Sequence, residues 1–155
     1  MNYQTALVQL PLVREAAGQK VSSPAEVHHV CGDIAALAQE SFHVLTLNAK
    51  NRLINRHLVT LGLVDGTSVH PREVFRTAIS DGASGIIVAH NHPSGDAAPS
   101  SEDLRITRQL VEAGRIVDIR VLDHVIVGRP VDAIGEQPAR PGFLSLRESG
   151  LVAFA

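Results

Sequence analysis

Residues 85–103 read Gly85-Ile86-Ile87-Val88-Ala89-His90-Asn91-His92-Pro93-Ser94-Gly95-Asp96-Ala97-Ala98-Pro99-Ser100-Ser101-Glu102-Asp103. The apolar, β-branched start predicts a buried strand, the Pro/Gly/Ser-rich middle a functional loop, and the closing Ser-x-x-Asp the first turn of a helix. On a strand, side chains two residues apart share a face, so His90 and His92 can converge on one ion. Asp103 then brings a carboxylate from the helix start. Two imidazoles and one carboxylate suit zinc, and three protein ligands leave the fourth tetrahedral position for water, as catalytic sites do. Ser100, one turn before Asp103, can cap the helix or present its hydroxyl beside that water.

The spacing His90-x-His92-x7-Ser100-x2-Asp103 resembles the signature of the JAMM (MPN-type) metalloproteases. Four stretches in order, V-H-P-R-E-V-F at 69–75, H-N-H-P-S-G at 90–95, P-S-S-E-D at 99–103 and L-D-H-V-I-V-G at 122–128, resemble the RadC branch of that superfamily over residues 24–150. The resemblance implies a zinc cofactor, and it implies a three-layer α/β/α fold with a mixed sheet of the cytidine-deaminase-like kind. It also implies a catalytic glutamate upstream of the histidines, at the start of an early strand. Glu40, opening E-S-F-H-V-L-T-L at 40–47, matches that place. On its residues alone, without the resemblance, Glu40 reads as a surface carboxylate at a helix end. Glu73 is the second candidate for the base, although a carboxylate in a first helical turn is commonly no more than favourable with the helix dipole.

The mechanism these residues imply is hydrolysis of a peptide or isopeptide bond by a metal-activated water. Glu40 acts as the general base, and the Ser100 hydroxyl stabilises the oxyanion. Other readings of the same letters fail. His90-Asn91-His92 matches HNH nucleases only in spelling, because those residues are spread over a longer unit. A zinc deaminase needs H-x-E with a downstream C-x-x-C, and the chain has one cysteine. H-E-x-x-H is absent. The alternative from another class is a protein-interaction or DNA-repair accessory module in which a metal only braces the loop, but scaffold relatives typically lack the ligands retained here.

Composition narrows the partners. A formal net charge of -2 offers no overall attraction to nucleic acid, so a peptide or protein substrate is expected. In full-length RadC proteins a helix-hairpin-helix region precedes the domain, and residues 1–22 leave no room for one, which weakens the DNA connection. The single Cys31 excludes an intramolecular disulfide, and no signal-like or bilayer-spanning run is present, so a cytoplasmic location is expected. No pattern specifies an oligomeric state.

Along the chain, residues 1–22 predict a loosely attached lead segment and residues 23–155 one domain. Ser23-Pro24-Ala25-Glu26 has the form of a capping box opening a helix over 24–39, with Cys31 on its apolar stripe and His28 and His29 at its polar edge. Strands are predicted at 42–47 and 52–61 around a turn at 48–51, and Gly62 and Gly66 mark the connection that follows. A helix from Pro71 to about Ala83 comes next; His70, Arg72 and Glu73 at its start are candidates for lining a substrate cleft. The helix begun at Ser100 or Ser101 is expected to stop at Gly114, followed by strand pieces over 116–122 and 124–127. Asp123 and His124, between those pieces, can orient a metal ligand, bind substrate or form a structural pair at a bend. Residues 129–142 predict an irregular, mobile or partner-facing loop, and 143–148 a segment packing back on the sheet.

Overall fold

The computed structural model describes residues 18–62 and 69–154; most of the expected lead segment, and Gly66, lie outside them. Three α-helices, α1 (Pro24–Cys31), α2 (Pro71–Ser80) and α3 (Ser101–Val117), accompany five strands. The strands are β1 (Ser41–Leu47), β2 (Leu53–Leu61), β3 (Gly85–Asn91), β4 (Arg120–Val127) and β5 (Phe143–Ser145), in the order β2-β1-β3-β4-β5. Among the described strands only the β3–β4 pair is parallel.

β1 and β3 are buried along their whole lengths, which requires cover on both faces. Phe42, Val44, Ile86 and Val88 pack with Val74, Phe75, Ile106 and Leu110 of α2 and α3. Leu45, Leu47, Ile87 and Ala89 pack on the other side with Val27, Val30, Cys31 and Ile34. The result is the expected three-layer α/β/α arrangement. Cys31 is fully buried, and burial pushes its thiol up to about 12, so it behaves as a small hydrophobe.

Both expected capping boxes form, at Ser23–Glu26 and at Ser100–Asp103. The helix predicted over 24–39 nevertheless ends at Cys31, and Gly32–Ala36 tightens into a 3-10 helix with Ala38 exposed. Arg56 explains the break, since its guanidinium donates to the Val30 carbonyl (2.9 Å) that a continuing α-helix would need and pairs with Asp33. α2 stops at Ser80, short of Ala83, because Gly82 takes φ 64° and the Ala83 N–H closes on the Ala78 carbonyl (2.9 Å).

Gly114 does not end α3, which continues to Val117 and terminates at Asp118 with φ 59°. Ile116 and Val117, expected in the next strand, are exposed helix residues. Gly114 instead permits close approach: a Cβ there would stand 2.5 Å from the Ile119 carbonyl oxygen and 3.3 Å from the Phe75 ring. β4 is one continuous strand, but its pairing steps from Ile86↔Val121 to Ile87↔Asp123, leaving Leu122 as an extra, bulged residue. The tail packs back as expected, through β5 and the fully buried Leu146. Within the expected loop at 129–142, Val131 and Arg140 exchange both backbone hydrogen bonds, making a short exposed antiparallel arm.

Replacing Gly114 by Ala sets a helix-propensity gain of about 1 kcal/mol against a clash with backbone that cannot rotate away. The clash dominates, and urea unfolding of Gly114→Ala should show a net loss of up to about 2 kcal/mol.

Candidate metal centre

β3 delivers His90 on the face toward α3, and the chain continues extended to His92, whose N–H donates to the Val127 carbonyl (3.0 Å). α3 begins beside this strand end. His90 Nε2 lies 3.0 Å from His92 Nε2 and 3.2 Å from Asp103 Oδ1, and His92 Nε2 lies 3.1 Å from Asp103 Oδ2. Ligand atoms bound tetrahedrally at zinc–nitrogen and zinc–oxygen lengths stand about 3.3 Å from one another. The spacing and chemistry of this donor set therefore fit a small divalent metal. Among the described residues, His90, His92 and Asp103 are the one group of three or more such side chains that can hold an ion.

Each donor is held from behind. The Asp96 carbonyl accepts from His92 Nδ1 (2.7 Å), leaving Nε2 for the cluster. Ser100 is the N-cap of α3, and its Oγ accepts from the Asp103 N–H (3.0 Å) while Asp103 Oδ2 accepts from the Ser100 N–H (2.9 Å). Of its two expected uses, capping is thus the one observed, and the exposed hydroxyl keeps its proton for a further partner. Gly128 makes room for the metal loop: a Cβ there would meet the Gly95 carbonyl oxygen at 2.3 Å, and the neighbouring Arg129 N–H donates to the same oxygen (2.8 Å).

The charges follow. Burial disfavours an ionised Asp103, yet the two histidines beside it and the Ser100 N–H hold its carboxyl well below the usual carboxylate range. Burial likewise opposes charging His92, but Asp103, the Asp96 carbonyl and nearby Glu40 outweigh it and raise its pKa. Glu40 Oε1 lies 3.8 Å from His90 Nε2, beside the donor group and outside it. Desolvation raises the Glu40 pKa, with the two histidines opposing the rise.

Asn91, between the two histidines, carries a role that the sequence reading missed. Its side chain points to the opposite face of β3 and clamps the segment bearing Glu40: Oδ1 accepts from Ser41 N–H (2.7 Å) and Ser41 Oγ (2.9 Å), while Nδ2 donates to the Gln39 carbonyl (3.0 Å). The Gly62 N–H donates to the Glu40 carbonyl (2.8 Å). Behind Ser41 stand His43 (2.9 Å), then Arg56 (3.3 Å from His43 Nδ1), then Asp33. Sequence separation hides all of this, and an Asn flanked by two ligand-type histidines was the only available hint.

The second Asp-His pair divides. His124, fully buried, places Nε2 2.7 Å from His90 Nδ1, whereas Asp123 faces the other way, accepting from Ser145 Oγ (2.7 Å) and the Arg147 N–H (3.2 Å). Burial, with the histidine beside it adding to the effect, drives the His124 pKa well down; burial raises that of Asp123. The α2 candidates are not drawn into the cluster. Glu73 pairs with Arg76 (2.9 Å) and stands 3.8 Å from Arg72 on its own helix, and His70 is the exposed N-cap of α2.

The fold is a mixed-sheet α/β domain in which two histidines and an aspartate that could hold a metal ion converge at a strand end. The chain belongs to the RadC family: the family described as RadC-like JAB domain matches residues 21–150. It is similar to the UPF0758 protein STH371 of Symbiobacterium thermophilum, 50% identical over 77% of this chain and 46% of that protein. It is also similar to the UPF0758 proteins of Caldanaerobacter subterraneus (42% identical, covering 94% of this chain and 58% of that one) and Rubrobacter xylanophilus (41%, covering 93% and 59%). The chain thus spans about half the length of the curated relatives it matches.

His43 supplies a pH test of the framework behind Glu40. Burial and then Arg56, partly offset by Asp33, push its imidazole from 6.5 to about 4. The unfolded chain takes up the proton first, so the stability is complete above about pH 6.5 and is lost as the pH falls toward 4, by up to about 3 kcal/mol. Urea midpoints measured from pH 7.5 to 4 should fall less steeply in His43→Gln, the remaining slope including His124.

Proposed function

We propose that this domain is a zinc-dependent hydrolase of peptide or isopeptide bonds. The observation that carries this reading is the placement of Glu40 within 4 Å of the donor group without membership in it, which is where a general base is needed. Zinc, when bound by His90, His92 and Asp103, supplies a Lewis acid and lowers the pKa of a coordinated water toward neutrality.

The chain's own residues complete the chemistry. The Glu40 carboxylate accepts the proton of the attacking water as its oxygen bonds to the carbonyl carbon, and returns that proton to the leaving nitrogen as the C–N bond breaks. Its raised pKa brings it closer to the range in which both transfers are efficient. The Ser100 hydroxyl, with its oxygen already accepting from the Asp103 N–H, directs its proton at the developing oxyanion. An open groove of about 750 Å³ between Ser94–Ala98 and the arm around Arg129, Val131 and Arg140 is lined by the loop that follows His92, and is the place this reading gives to an extended peptide. Among the described residues no helix is long and apolar enough to cross a membrane.

Elemental analysis of the wild type should find about one zinc per chain, and of Asp103→Ala none. Folded wild type that takes up no zinc when supplied would remove the hydrolase reading and leave an interaction module. Glu40→Gln should keep its zinc while cleavage of a peptide and isopeptide library falls on the order of 10²–10⁴-fold; undiminished cleavage would place the base elsewhere.

A further inference from the structure

A chain of buried hydrogen bonds leaves the metal cluster at His90 and returns to it at Asp103. Thr107 Oγ1 lies 2.6 Å from the Asp103 backbone carbonyl and 2.6 Å from His124 Nδ1, and His124 Nε2 lies 2.7 Å from His90 Nδ1. The direction of every bond follows from its last member. A carbonyl oxygen can only accept, so the single Thr107 proton points to Asp103, and Thr107 Oγ1 is left to accept from His124 Nδ1–H. The His124 ring is about 1% exposed and meets only Thr107 and His90, with no carboxylate to balance a second proton, so its other nitrogen is an acceptor. His90 must then carry its proton on Nδ1, which frees the Nε2 lone pair.

We propose that His124 and Thr107 are positioning residues of the metal centre: through this relay the Asp103 carbonyl sets the tautomer of His90 and ties the two ligand-bearing elements, β3 and α3, into one rigid unit. This rests on the reading of His90, His92 and Asp103 as metal ligands. The common arrangement gives a ligating histidine a carboxylate, carbonyl or water behind it. Here a second neutral imidazole takes that place and passes the polarity on.

Two further features fit the assignment. The Leu122 bulge shifts the β4 register, so that His124 falls opposite Val88 on the same face as His90; without the extra residue it would lie on the far face of the sheet. Phe42 packs against both rings, stacked on His90 at 5.9 Å and edge-on to His124 at 5.5 Å, which limits their rotation.

Zinc affinity of the full chain, measured by competition with a chromophoric chelator, tests the relay in three variants. His124→Leu removes the acceptor and should weaken zinc binding about 10–100-fold. His124→Gln restores an amide oxygen in reach of His90 Nδ1–H and should recover most of that loss, which a purely space-filling role for His124 does not predict. Thr107→Val is nearly isosteric, so it reports even where His124→Leu fails to fold, and it should weaken binding about tenfold. Long-range ¹H–¹⁵N spectra of the zinc-loaded wild type should show both His90 and His124 protonated at Nδ1. Wild-type affinity in Thr107→Val and His124→Leu, or a His90 protonated at Nε2, overturns the relay while leaving the metal site standing. A wild type that binds no zinc overturns both, and zinc bound in a working relay without amide cleavage overturns the hydrolase reading alone.

Discussion

One carboxylate joins the sheet to the helix layer. Asp103 closes the capping box of α3 by accepting from the Ser100 N–H, and the same side chain faces His90 and His92 at 3.2 and 3.1 Å. A shielded charge of this kind persists only where its lone pairs are occupied, so the first turn of α3 has little freedom to move off the end of β3. The packing of Ile106 and Leu110 under the helix holds the same placement from the apolar side. Helix start and candidate metal ligand are one geometric requirement met by one residue.

β3 owes its usefulness to its central position. It has β1 on one side and β4 on the other, and each neighbour adds a group to the site at the strand's carboxyl end. β1 brings Glu40, held through the Asn91 clamp on residues 39 and 41. β4 brings His124, on the correct face because of a single bulged residue. His90 lies on one face of β3 and the Asn91 clamp on the other, so the strand positions the candidate donor group and Glu40 independently. This uses the period-two alternation of a strand for two tasks at once.

Much of this was legible in the chain because it is local. The Ser100–Asp103 capping box spans three residues, the His90/His92 pairing two, and their meaning depends on backbone periods that any strand or helix imposes. Where local signals met tertiary competition they failed. Gly114 looked like a helix stop but is needed so that α3 can approach Ile119, and the helix from Pro24 lost its last turns because Arg56, from a distant strand, takes the Val30 carbonyl. The Asp123-His124 pair could not be resolved from sequence, since the bulge that separates their roles exists only in the pairing of β4 with β3.

By itself the sequence determined the class of fold, through its resemblance to a known family, and the grouping of His90, His92 and Asp103 with the caps that place them, which rests on backbone periods between near neighbours in the chain. Only the tertiary structure decided that Asn91 clamps the segment carrying Glu40 and that His124 and Thr107 stand behind His90. Those partners lie 50, 34 and 17 positions apart in the pairs they form, and hydrogen bonds of under 3 Å between such distant residues exist only once sheet order and register have been set by burial of the apolar faces.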